Sequence, residues 1–121
     1  MGGLYHHWKI ALENRDGAKS EFRAGRYSNV GLLAIRSLEQ AIEACASKEG
    51  FHFHDNPRTA HRMRREWLRT KFPELVEKWD ILWSIYGVLG YGGVNGERAR
   101  EAIRVLDETL EVLRRTCIEA I

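Results

Sequence analysis

Residues 81–96 read ILWSIYGVLGYGGVNG: an apolar run passes into residues 86–96, where five of eleven positions are glycine. Such a stretch can wrap a phosphate, end a helix, or be what is left of an active site. A phosphate loop follows a strand and carries G-x-x-x-x-G-K-[ST] or G-x-G-x-x-G. Neither pattern is present, and the G-x-G here lacks the third glycine. The residues before it are helical in period. Leu75, Trp79, Leu82, Tyr86 and Leu89 form one stripe at three- and four-residue steps, and Val76 and Trp83 widen it. The glycines therefore end a helix and supply positive φ in the turn to the next one.

The same periodicity extends in both directions. Downstream, Asn95 is placed to cap a last helix whose Ala99, Ala102, Ile103, Leu106, Leu110, Leu113 and Cys117 follow a bundle seam. Upstream, Pro73 opens the helix of the apolar stripe, and Pro57, with Asn56 as its cap, opens the one before. Residues 48–57, KEGFHFHDNP, read as a loop. A helix from Tyr27 to Ser47 precedes it, with Val30, Leu33, Ala34, Leu38, Ala41, Ile42 and Cys45 on its inner side. Residues 4–24 give the first helix, which stops at Gly25; Leu4, Trp8, Leu12, Ala18 and Phe22 face inward and Gly17 weakens it. No segment alternates like a half-buried strand. The expectation is one all-α domain over residues 1–121, an up-and-down bundle of four to five antiparallel helices.

No run approaches the roughly 20 apolar residues of a membrane span. The opening MGGLYHHWKI lacks the features of a signal peptide, so the expected compartment is the cytoplasm. Cys45 and Cys117 fit neither a zinc spacing nor a redox pair, and on apolar helix faces they are expected as reduced, buried thiols.

Net charge is only +2, but 14 of the 19 basic residues are arginine. Arg58, Arg62, Arg65 and Arg69 lie on one helix face, opposite Ala60, Met63 and Trp67, and Glu66 is the sole acid between 58 and 71. That strip would attract phosphate; the competing reading is a solvated face paired with Glu74 or Glu77. His52, His54 and His61 are the candidates for a metal, yet a loop supplying them without a nearby cysteine gives an expectation of no metal and no cofactor. Ser37 and Ser84 lack a base or elbow motif. Glu39, Glu43 and Glu108 could pair across the bundle, but no Glu-x-x-His marks a di-iron site.

WKIALENRDGAKSEFRAGRYSNVGLLAIRSLEQAIEA resembles the first two helices of HEPN domains, with "GRY" between them and "EQAIEA" in the second. The "LGYGG" ending and amphipathic last helix extend the resemblance over nearly the whole chain. It implies a small helical bundle, usually a homodimer, that cleaves RNA as a toxin or binds nucleotides, RNA or a minimal nucleotidyltransferase partner in toxin–antitoxin-like systems. Ribonuclease members carry an arginine followed after four to six residues by a histidine. Aligned on Tyr91, those positions hold Ser84 and Leu89 or Gly90 here, and no arginine in the chain precedes a histidine at that spacing. Without imidazole or guanidinium there, proton transfer and charge stabilisation lose their agents.

The expected function is thus a non-catalytic module. Tyr86 and Tyr91, with Trp83, would offer aromatic faces; Arg36 and the strip Arg58, Arg62, Arg65 and Arg69 would meet phosphate. Trp79, Trp83 and Tyr86 are the expected dimer surface, because so wide an apolar arc needs extra cover. The alternatives are metal-independent RNA cleavage by a rearranged site, such as His61 with Arg58 or Arg65, and a purely structural interaction protein.

Overall fold

The computed structural model describes residues 3–92 and 95–119. It contains α1 (Leu4–Arg23), α2 (Tyr27–Ser47), α3 (Pro57–Lys71), α4 (Val76–Gly92) and α5 (Gly96–Leu113). Single 3₁₀ turns, Phe53–Asp55 and Pro73–Leu75, lead into α3 and α4, and a π-helical turn, Arg114–Ile118, continues α5. No strand occurs among the described residues, so the expected all-α bundle is the observed class.

α2 is the keel. Its small residues Ala34, Ala41, Ala44 and Ala46 are fully or almost fully buried and let neighbours approach closely. α1 runs antiparallel along it, with Gly17 near Leu33 and His7 near Gln40. The inner face of α1 is rotated slightly from the expected one: Trp8 and Ala18 are buried as expected, but His7 and Ala11 join them while Leu4, Leu12 and Phe22 are only partly buried. Ser37 explains the rotation in part, since its buried hydroxyl donates to the Ala11 carbonyl at 2.7 Å across the helix pair. α4 crosses α2 at Gly31, where a Cβ would stand 3.3 Å from the Tyr86 Cα. Only glycine fits that crossing without moving a helix.

The ends of α1 and α2 use the same device. Gly25 and Gly50 have φ of 77° and 83°, conformations that cost glycine nothing. At the first, Arg26 N–H reaches the Glu21 carbonyl at 2.9 Å and Gly25 N–H reaches Phe22 at 3.0 Å, a Schellman ending. The Glu21 side chain then folds back onto the turn, accepting from Arg26 at 2.8 and 2.9 Å and from Asn29 at 2.6 Å. These bonds, Arg26 foremost, hold its carboxyl down at about 2 against an ordinary 4.5. A folded value below the unfolded one means the clasp stabilises fully above 4.5 and fades as pH falls towards 2. An NMR titration of the Glu21 side-chain carbonyl should therefore show a midpoint near 2 that climbs towards 4.5 in Arg26→Ala; a midpoint already near 4.5 in the parent protein would remove the clasp.

Asn95 caps α5 as expected, accepting from Arg98 N–H at 3.1 Å. Asn56 holds the corresponding position before α3 but makes no side-chain cap bond; its carbonyl accepts from Thr59 N–H at 3.1 Å. α4 extends through Gly87 and Gly90 and ends at Gly92, late in the glycine stretch. The turn to α5 for which positive φ is expected, residues 93–94, lies outside the described residues. Gly96 instead opens α5 against the Tyr27 ring, with 3.1 Å from a Cβ to its hydroxyl.

Two expectations change. The segment after α2 turns back along the bundle, so α3 follows the direction of α2: Arg64 meets Glu39 and Glu43, and Lys71 meets Glu49 further on. α3 is antiparallel to α4, with His61 on Trp83 and Arg65 on Asp80. The cysteines are not free thiols. Cys45 and Cys117 form a disulfide, Cα–Cα 5.4 Å, between α2 and the π-helical turn. Their apolar positions had pointed to burial, and both are buried, but the two inner faces also converge on one point. Lys48 fastens the same end, donating to the Cys117 carbonyl at 2.9 Å.

Candidate functional site

Four polar residues of α2, Arg36, Glu39, Gln40 and Glu43, recur at steps of three and four and so share one face. Three of them, Arg36, Glu39 and Gln40, line a cleft of about 390 Å³ between α2, α3 and α4. α3 contributes His61 and Arg64, α4 contributes Trp83 and Tyr86, and the Phe53–Asp55 turn places His54 at the rim. α3 can lie there because Ala60, which also lines the cleft, keeps the interhelical gap narrow.

Below the cleft runs an ionic network. Glu43 is fully buried, accepting from Arg64 Nε at 2.8 Å on Oε2 and from His54 Nδ1 at 2.8 Å on Oε1. Burial is the largest influence on its carboxyl and opposes ionisation, but the bonds from His54 and Arg64 outweigh it and hold the group below its ordinary value. Glu39 lies 3.3 Å from the other face of Arg64, and for it burial wins over Arg64 and Arg36, pushing its carboxyl up. One guanidinium is thus shared between two carboxylates of unlike acidity. His7 reaches the same place from α1. It is 4% exposed, its ring 4.9 Å from that of His54, and Nδ1–H donates to Gln40 Oε1 at 2.7 Å. Burial pulls its pKa down, with the Gln40 bond opposing, which keeps the ring neutral.

The upper wall is aromatic. His61 packs against Trp79 at 5.2 Å and Trp83 at 4.6 Å, and Trp83 meets Tyr86 edge-on at 5.5 Å. The Trp83 indole N–H is buried without an acceptor among the described residues. Arg36 is exposed at the lip and has no carboxylate within ion-pair distance among them. An unsatisfied donor beside a free cation and two aromatic faces can receive a ligand that brings both acceptors and a ring.

The expected residues divide accordingly. Arg36, Trp83 and Tyr86 come together in the cleft. Arg58 and Arg62 remain exposed on α3 without an acidic partner among the described residues, whereas Arg65 is held by Asp80 through two bonds of 2.9 and 2.8 Å and Arg69 pairs with Glu66. The strip is therefore half committed to ion pairs. Trp79 is 1% exposed inside the monomer core, with His61 of α3 and Trp83 of α4 against its ring, so it cannot form a dimer surface. The Tyr91 side chain lies outside the described residues. His52, His54 and His61 are not gathered at one point: His52 meets His54 edge-on at 5.9 Å, His54 turns to His7 and Glu43, and His61 belongs to the tryptophans. Sequence reasoning missed His7, Gln40 and Arg64, and named Glu43 only as a carboxylate that could pair across the bundle, which it does with Arg64. The signal available was the polar stripe of α2, four hydrophilic residues in helical phase directly beside its apolar face.

No protein-family model matches the chain, and no solved structure matches it. Among curated proteins, the probable delta-aminolevulinic acid dehydratase 2, chloroplastic, of Arabidopsis thaliana is 31% identical over 97 residues, covering 77% of this chain and 22% of that protein. The chain spans about a fifth of the length of that relative, so the match does not carry the relative's activity over to it.

Proposed function

We propose that the chain is a HEPN-like helical module that binds a nucleotide, or the end of a single-stranded RNA, in the α2/α3/α4 cleft. The observation that supports this reading is the juxtaposition of unpaired Arg36 with the unsatisfied Trp83 indole N–H and the Tyr86 ring. The guanidinium takes phosphate, the indole donates to a base or sugar oxygen, and the aromatic edge receives the base. Arg58 and Arg62 extend the positive field along α3 for a longer strand. In this reading a second copy or a minimal nucleotidyltransferase covers Leu32 on α2 and Val88 on α4, apolar side chains 39% and 42% exposed.

Titrating ATP and a short labelled RNA into the protein, by calorimetry and fluorescence anisotropy, tests the proposal. Binding should weaken with salt, by about 0.7 logarithmic units per decade for each phosphate engaged on a single strand. Arg36→Ala should cost about tenfold in Kd, as expected for loss of one charged hydrogen bond. Affinity that ignores Arg36→Ala but collapses in Arg58→Ala/Arg62→Ala would move the site onto the strip. No binding of either probe would leave an interaction protein.

A second reading is favoured by one fact: His54 and His61 line the same cleft as Arg36 and Arg64. Two imidazoles and two guanidiniums are the groups that RNA cleavage needs, although Arg58 and Arg65, the expected partners of His61, are not part of the cleft lining. Metal-independent cutting of RNA that disappears in His61→Ala would replace the binding reading by this one.

A further inference from the structure

We propose that His7, Glu43 and His54 form a three-ligand site for a divalent transition-metal ion of the zinc class, with its fourth position open to the cleft. One ligand atom from each of the three lies within 4.8 Å of the others. A tetrahedral ion with bonds of about 2.0 to 2.1 Å holds its ligands roughly 3.3 Å apart, so a side-chain adjustment of about 1 Å closes the set. Two imidazoles and a carboxylate from three separate elements, α1, α2 and the Phe53–Asp55 turn, suit that ion.

The far side of every ligand already has a partner. Gln40 accepts from His7 Nδ1 at 2.7 Å, which leaves Nε2 with its lone pair. Arg64 occupies Glu43 Oε2 at 2.8 Å and leaves Oε1. Asp55 Oδ1 stands 3.4 Å from His54 Nε2, which leaves Nδ1. Such outer bonds fix ring orientation and tautomer around bound metals. The ion would take the place of the single proton that His54 Nδ1 gives to Glu43 Oε1.

A plain ion-pair network explains Glu43, Arg64 and His54 but not His7. Its Nε2 is buried and finds no hydrogen-bond partner among the described residues. An imidazole nitrogen removed from water and left bare is a cost that a bound metal would remove. Three protein ligands leave a position for water or a ligand oxygen, and His54, a third exposed, stands where the cleft opens. The site does not depend on what the cleft binds.

The test uses the full chain, stripped with a chelator and dialysed. One equivalent of Zn²⁺ per chain is expected by calorimetry, and Co²⁺ should give the intense visible absorption of a four-coordinate ion. His7→Gln and His54→Gln should each abolish both signals, while their exposed neighbours, in His6→Gln and His52→Gln, leave them intact. Circular dichroism of the metal-free variants reports folding. Should a ligand variant fail to fold, Gln40→Ala replaces it: this change removes only the group that orients His7, and should weaken Zn²⁺ binding about 10- to 100-fold. The proposal is overturned by the lack of saturable Zn²⁺ or Co²⁺ binding at micromolar concentrations. Binding that survives His7→Gln and His54→Gln, or Gln40→Ala where that variant stands in, overturns it equally.

Discussion

Removing the Cys45–Cys117 bond lowers stability by about 4 kcal/mol and the melting temperature by roughly 15 °C. The size follows from the 72-residue separation of the two cysteines, because the bond withholds from the unfolded chain the freedom of a loop of that length. Both residues are buried, at 3% and 6% exposure, so reductant reaches them only when the fold opens. The experiment therefore compares oxidised protein with the Cys45→Ala/Cys117→Ala double variant in urea, and with protein reduced in denaturant and then refolded. The two modified forms should lose stability by similar amounts. Native protein should titrate no free thiol; two reactive thiols in unfolded, unreduced protein would remove the bond from the description.

Glu43→Leu, in metal-free protein, should cost about 3 kcal/mol. The substitution leaves Arg64, only 9% exposed, without its principal counter-charge, and an uncompensated buried cation is worse than none. The figure stands at the low end of the range for broken buried pairs because Glu39 still lies 3.3 Å from the guanidinium. Adding Arg64→Leu should then recover most of the loss, since an apolar pair of similar volume replaces the ionic one. Urea midpoints of the single and double variants at unchanged m decide the matter. A double variant as unstable as Glu43→Leu alone would show that Arg64 fills space and does not serve charge.

The parts of the fold that sequence revealed are those governed by local periodicity. α2 starts at Tyr27 and ends at Ser47, as its apolar steps require, and Asn95 caps α5 because its side chain needs only the next turn. What depended on distant partners was hidden. Asn56 has the right chemistry for a cap, but its side chain makes no such bond. The cysteines could be read as buried but not as paired, since nothing local brings residues 72 positions apart together. Arg36 was legible as a cation by residue type; its lack of an acid partner among the described residues depends on how the helices pack. His7 illustrates the limit: it looks ordinary in its own helix and acquires its meaning from Gln40 of α2 and from His54 in the turn before α3. Trp79 shows the opposite error, in which a broad apolar face was assigned to a second subunit although the bundle's own helices cover it.

The covalent ring closed by Cys45 and Cys117 contains the last residues of α2 together with α3, α4 and α5, and leaves α1 and most of α2 outside. α1 is therefore held against α2 by side-chain packing and hydrogen bonds alone, such as Ser37 to Ala11 and His7 to Gln40, whereas α2 and the turn after α5 also share a covalent tether. His7 belongs to that uncrosslinked helix, so it meets Glu43 and His54 only as long as this packing holds.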